Sequence, residues 1–265
     1  MSAASSGLSA VGELARRHDP DRFLCALFAP PARRETLLLL VALNHELARA
    51  REATSQPMLA LIRLQWWREV AEGAVRRHEV AEPLAAALAS GVIASADVVA
   101  MIEGREVETE ETVPSFAAWQ GYVRATAGTL AVAMGRSLGA DAAALKRIAE
   151  LGTAYGVAGQ IRNVAAVASQ GRCLLPLDLL ASQGLIVEEV VARPHNPALQ
   201  PVLAELAGWG MQLLGSGRFL ARPVIAAALP GVLARRDLSH LSRIPGPRGA
   251  GDKIAVAAAA AICRV

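Results

Sequence analysis

The chain has 265 residues, 53% of them hydrophobic but only 4% aromatic, with a net charge of +3 and a pI near 9.0. Its apolar content is mostly Ala, Leu and Val, without the aromatic and β-branched enrichment of sheet proteins, which excludes a β architecture and favours an all-α one. The basic excess is mild and forms no dense tract, which excludes a nucleic-acid surface. With Lys146 and Lys253 as the only lysines, cationic contacts fall to arginine, whose fork suits carboxylate and phosphate.

In chain order, residues 1–18 read as a frayed or weakly helical lead-in without the basic and apolar regions of a secretory signal. Asp19-Pro20 and Ala29-Pro30-Pro31 bracket a short segment. A long helix is predicted over 32–51, because proline is tolerated in a first turn that has no intrahelical N–H bond to lose. Ser55-Gln56-Pro57 starts another over 58–77, and shorter helices follow over 83–89 and 95–107. The acidic run 106–111, ending at Pro114, reads as an exposed connection. Two long helices over 115–138 and 141–167 are joined through Gly139, with Ser115 and Asp141 as N-caps. Residues 170–175 read as a loop, 176–183 and 187–192 as short helices, 196–220 and 223–237 as longer ones. A Pro/Gly-rich loop at 244–252 precedes a last helix from about Lys253. Short connections and no linker imply one helical bundle over residues 1–265.

Three widely spaced cysteines, Cys25, Cys173 and Cys263, fit a reduced cytoplasmic compartment. The apolar runs 37–43 and 254–262 fall short of the roughly 20 residues that span a bilayer, so the chain reads as soluble or peripheral.

Four segments carry a resemblance. They are Phe23–Pro30 with Arg33-Arg34 and Asn44-His45-Glu46-Leu47-Ala48; Arg63-Leu64-Gln65-Trp66-Trp67-Arg68-Glu69; Tyr122 with Ala127-Gly128; and Arg162, Gly171-Arg172 and Leu175-Pro176-Leu177-Asp178-Leu179-Leu180. In this order they resemble the squalene/phytoene synthase superfamily from residue 23 to about 182. The resemblance implies a class I isoprenoid synthase-type bundle around a central apolar cavity. In such enzymes two aspartate-rich motifs hold Mg²⁺ on the diphosphates of two isoprenyl substrates, neutralising the leaving group.

This chain departs from the pattern. The first motif, DDxxD, falls on Ala48-Arg49-Ala50-Arg51-Glu52, and the second, DxxxD, on Asn163-Val164-Ala165-Ala166-Val167. Only Glu52 remains acidic, so no Mg²⁺ or other cofactor is expected. The pattern of 44–48 with 63–68 most resembles a branch of the superfamily known as mitochondrial complex I assembly factors, thought not to be synthases, and the composition suits a bacterial relative.

Each singled-out residue has a plainer role. Trp66 and Trp67 either meet an apolar ligand or divide between core and helix seam. Arg49, Arg51 and Glu52 line a former diphosphate mouth or form a solvated face. Arg162, Asn163 and Arg172 form an anion pocket, or Arg162 pairs internally with a carboxylate such as Asp178. His45 and Glu46 lack a second histidine at metal spacing, and Cys25 and Cys173 read as small core residues. Gly128, Gly152, Gly156 and Gly159 give either close helix packing or cavity room beside Tyr122 and Trp66.

Two functions follow as expectations. One is a non-catalytic complex I assembly or maturation factor on the inner membrane, binding an isoprenoid, a lipid or a complex I subunit. The other is an active isoprenyl diphosphate transferase joining two substrates head to head, for which Mg²⁺ would be required.

Overall fold

Leu37–Leu43 is apolar on every side of a helix, and such a segment is stable only when surrounded. In the computed structural model, which describes residues 7–54, 56–241 and 248–265, all seven are buried in the middle of α3 (Pro31–Glu52). Before α3 stand α1 (Ala10–His18) and α2 (Pro20–Ala26). The lead-in expected over 1–18 is therefore helical from Ala10, because Ser9 caps it through Gly12 N at 3.0 Å and Val11 and Ala15 are buried. Residues 1–6 lie outside the described residues.

After α3 come α4 (Pro57–Ala71), α5 (Ala81–Ala89) and α6 (Ser95–Glu106), the last running into a 3₁₀ turn, Val107–Thr109. Helix α4 is shorter than the 58–77 predicted, since Gly73 turns the chain out at φ 108°. The acidic run is no exposed connection throughout: Glu108 is buried.

The helix expected over 115–138 is three pieces, α7 (Phe116–Val123), a π turn over Arg124–Gly128 and α8 (Thr129–Ser137). Thr126 and Thr129 both turn their hydroxyls back onto carbonyls of the preceding turn, the local competition that accompanies a change of helical register. Ser115 and Asp141 cap as expected, accepting from Ala118 N (3.2 Å) and Ala144 N (2.8 Å). Asp141 opens α9 (Ala142–Arg162), which packs against α8, the π turn and two later helices, α13 (Gln200–Leu214) and α15 (Pro230–Leu238). It stops at Arg162 rather than 167, and α10 (Val164–Ala168) follows as a separate short helix after Asn163.

Helices α11 (Leu177–Ser182) and α12 (Val187–Ala192) precede α13, which ends at Gly215, φ 45°, not at Leu220. Helix α14 (Ile225–Ala228) precedes α15, and α16 (Ala250–Ile262) closes the fold. Of the loop expected at 244–252, residues 244–247 lie outside the described residues, and its last three begin α16. No strand is present among the described residues, only two isolated bridges, Val113 with Pro176 and Phe219 with Arg264. Among the described residues no helix is long and apolar enough to cross a membrane.

Candidate functional site: a charged cleft at the end of α3 and α9

Residues 44, 45, 48 and 52 share one face of α3, and 155, 156, 159 and 160 share one face of α9, because three- and four-residue spacings repeat on a helix. These faces look at each other across a cleft of about 910 Å³, closed by α2, α7, the π turn, α10 and the start of α16. Ala48, Glu52, Asn163 and Val167 all line it, so the two motif positions converge. Arg162, Arg172, Tyr122 and Gly156 line it as well.

Several residues named from sequence do not line it, among them Arg51 and Gly152. Arg49 is exposed on the flank of α3 and pairs with Glu46 at 3.4 Å. Trp66 packs edge-on against Trp67 at 4.8 Å and leaves the buried position to Trp67. At Gly128 an added Cβ would meet Thr153 Oγ1 at 2.7 Å, so this glycine serves helix packing. Gly152 and Gly156 do the same, with Cβ positions 2.2 Å from Ala131 Cβ and 2.5 Å from Ala127 Cβ. At Gly159 nothing lies within 4 Å, and it opens into the cleft.

The expectation of an apolar chamber needs correction. Phe23, Leu24, Val123, Ala127 and Leu174 give the cleft an apolar part, but arginines, carboxylates and two tyrosines occupy much of the rest. These charges are mutually engaged. Arg22 donates to Asp19 at 2.7 Å, and its guanidinium lies 4.5 Å over the Tyr155 ring. Tyr155 OH donates to Asp21 at 3.0 Å, and Arg248 grips both Asp21 and Asp237 with bonds of 2.7 to 3.1 Å. Arg162 pairs with Asp237 at 3.2 Å, not with Asp178, which instead accepts from Phe116 N at 2.9 Å.

Deeper in, Glu108 accepts from Tyr122 OH and Arg105 Nη1, each at 2.6 Å, while Arg105 also donates to Asn44 at 2.9 Å and Gln160 to Tyr122 OH at 3.1 Å. Burial and the Glu108 charge push the Tyr122 hydroxyl well above its usual pKa, so it stays protonated and donates. Arg172 donates to Glu108 O at 2.7 Å. Its pKa is lowered by burial and then by neighbouring Arg51, which makes the two an unfavourable pair of cations. Each keeps a buried Nε without a hydrogen-bond partner among the described residues. Cys25 and Cys173 are buried, and burial pushes both thiols up, which fits core packing rather than nucleophilic use.

His45 stacks on His18 with centroids 3.9 Å apart and planes 11° from parallel, a pairing that sequence spacing cannot reveal. Burial, then His18, lowers the His45 pKa against the opposing pull of Glu46. The unfolded chain therefore takes the proton first. His45 contributes stability that is present above the ordinary imidazole pKa and is lost as pH falls through the lower folded value. Denaturant midpoints should fall between about pH 7.5 and about pH 5.5, and His45→Gln should flatten that slope. Among the described residues no three His, Cys, Asp or Glu side chains group as metal ligands.

A family model for squalene/phytoene synthase matches residues 15–249, well past residue 182 where the sequence pattern fades. The chain belongs to the squalene/phytoene synthase family. Two solved structures share its fold. A dehydrosqualene synthase is 13% identical, with TM-score 0.76 over 95% of this chain and 94% of its own. The squalene synthase HpnC from Alicyclobacillus acidocaldarius is 18% identical, with TM-score 0.65 over 94% and 91%. Relatives in sequence include "NADH dehydrogenase (ubiquinone) complex I, assembly factor 6" from Mus musculus, 26% identical over 91% of this chain and 77% of its own length. The Homo sapiens protein of that name is 25% identical over 87% and 73%. This squalene/phytoene synthase fold thus stands near both synthases and assembly factors.

Proposed function

We propose that this protein is a non-catalytic member of its family, an assembly or maturation factor for respiratory complex I. It would hold an isoprenoid or lipid chain in the cleft while working peripherally on the cytoplasmic face of a bacterial inner membrane. One observation carries the reading. The carboxylates that line the cleft, half-buried Asp19 and Asp21 and buried Glu108, are already matched by Arg22, Arg248 and Arg105, while the motif positions hold Ala48, Asn163 and Val167. A Mg²⁺ cluster needs several uncommitted anionic oxygens, and Glu52 alone does not fit that need. The assembly-factor relatives, matched over most of the chain, support the same side.

Deleting the gene should lower assembled complex I and leave squalene and carotenoid products unchanged. Normal complex I in the deletion strain would end this reading. A Gly159→Phe variant should fold normally, since nothing stands within 4 Å of that position, yet fail to restore complex I because its ring occupies the cleft. Pure protein given farnesyl or geranylgeranyl diphosphate should release no pyrophosphate with or without Mg²⁺. Metal-dependent release would restore the transferase reading.

A further inference from the structure

The first two turns of α4 break the rule that its length otherwise obeys. Ala60, Leu64, Trp67 and Val70 form its buried stripe. Opposite them Met58 and Ile62 are 66% and 58% exposed, flanked by Leu59 at 43% and Leu61 at 37%. A helix that presents large apolar side chains on its inner and outer faces alike lacks a partner on one of them. The ridge is continuous with the cleft mouth. Glu52, five residues before Pro57, lines the cleft, and exposed Val107 sits on the 3₁₀ turn packed against α4.

Arginines lie at the same end. Arg63 is exposed on α4 itself and reaches the end of α3 through Ala50 O at 3.5 Å, and Arg49 is exposed on that last stretch of α3, where it also pairs with Glu46. Arg51 and Arg172, with their unpartnered Nε donors, stand behind them, with Glu52 as the exposed carboxylate of the group. We propose that the α4 ridge, Met58, Leu59, Leu61 and Ile62, seats the protein on an anionic phospholipid bilayer, with Arg49 and Arg63 meeting lipid phosphates and the cleft mouth turned to the membrane. A bilayer presents anionic phosphate above hydrocarbon, which complements a convex apolar ridge edged by arginine. The inference rests on the peripheral placement in the reading above and adds to it the surface and the lipid charge.

The test is sedimentation of the full chain with vesicles of phosphatidylcholine alone or mixed with phosphatidylglycerol. The protein should sediment with the anionic vesicles and release with added salt. A Met58→Glu, Ile62→Glu double variant, checked for unchanged helicity and melting, should bind about tenfold or more weakly, because it replaces two inserted side chains by charges. Arg49→Gln with Arg63→Gln should remove the preference for phosphatidylglycerol. Wild-type protein left in the supernatant, or a double variant that binds like wild type, overturns the proposal. So does a dimer in free solution that the same double variant dissolves, without vesicle binding. Failure here leaves the effect of gene deletion on complex I standing, and a normal deletion strain leaves vesicle binding standing, so the two ideas fail separately.

Discussion

Replacing Arg248 with methionine should lower the unfolding free energy by about 3–5 kcal/mol, the range seen when one partner of a buried ion pair is removed. The arginine is 12% exposed and lies between Asp21 at 13% and Asp237 at 10%, with both carboxylates gripped in two-pronged fashion. Without it, among the described residues, Asp21 keeps only the Tyr155 hydroxyl and Asp237 only the longer Arg162 contact. Burial lowers an arginine pKa, yet that of Arg248 is raised, because its bonds to Asp237 and Asp21 outweigh burial. Its charge is therefore secure. Arg248→Lys should fall between, since an ammonium cannot fork to both partners. Urea unfolding of the two variants beside wild type measures both effects. A methionine variant as stable as wild type would mean that the bridge contributes nothing net.

That bridge also marks what the sequence leaves unread. In the sequence Asp21 is one residue of a short proline-bracketed segment, and Arg248 one charge in a Pro/Gly-rich loop. Nothing in 227 residues of separation joins them. Glu108 was hidden in the same way, since an acidic run resembles solvated surface until Tyr122 and Arg105 are seen to turn inward on it. Local signals fared better. Ser115 and Asp141 cap within three residues, and the all-apolar run at Leu37–Leu43 admits only burial. The convergence of Ala48, Glu52, Asn163 and Val167 was legible only through resemblance to a family whose motifs fall at those positions. Its opposite side was illegible: no periodicity announces a cleft whose arginines spend themselves on its own carboxylates.

The second large effect comes from a glycine that helical pattern makes look replaceable. Gly104 lies inside α6, where alanine would ordinarily gain about 1 kcal/mol of helix propensity. A Cβ there would stand 2.2 Å from Ala125 O and 2.6 Å from its carbonyl carbon. These are backbone atoms of the π turn, which cannot rotate away as a side-chain tip would. The turn is itself held between α7, α8 and α9, so relief requires helices to separate. Overpacking of this kind costs about 1–3 kcal/mol and occasionally more, and a fixed backbone contact belongs at the upper end. Gly104→Ala should therefore lose about 2 kcal/mol net of propensity. Gly121→Ala is the matched control, an exposed glycine in α7 with nothing within 4 Å, and it should gain stability. Thermal or urea unfolding of the two variants compares them directly. Because the π turn carries Thr126 and Ala127 into the cleft, the loss at Gly104 should be accompanied by faster amide exchange along that wall. Equal stability of the two alanine variants would show that α6 and the π turn can part without cost.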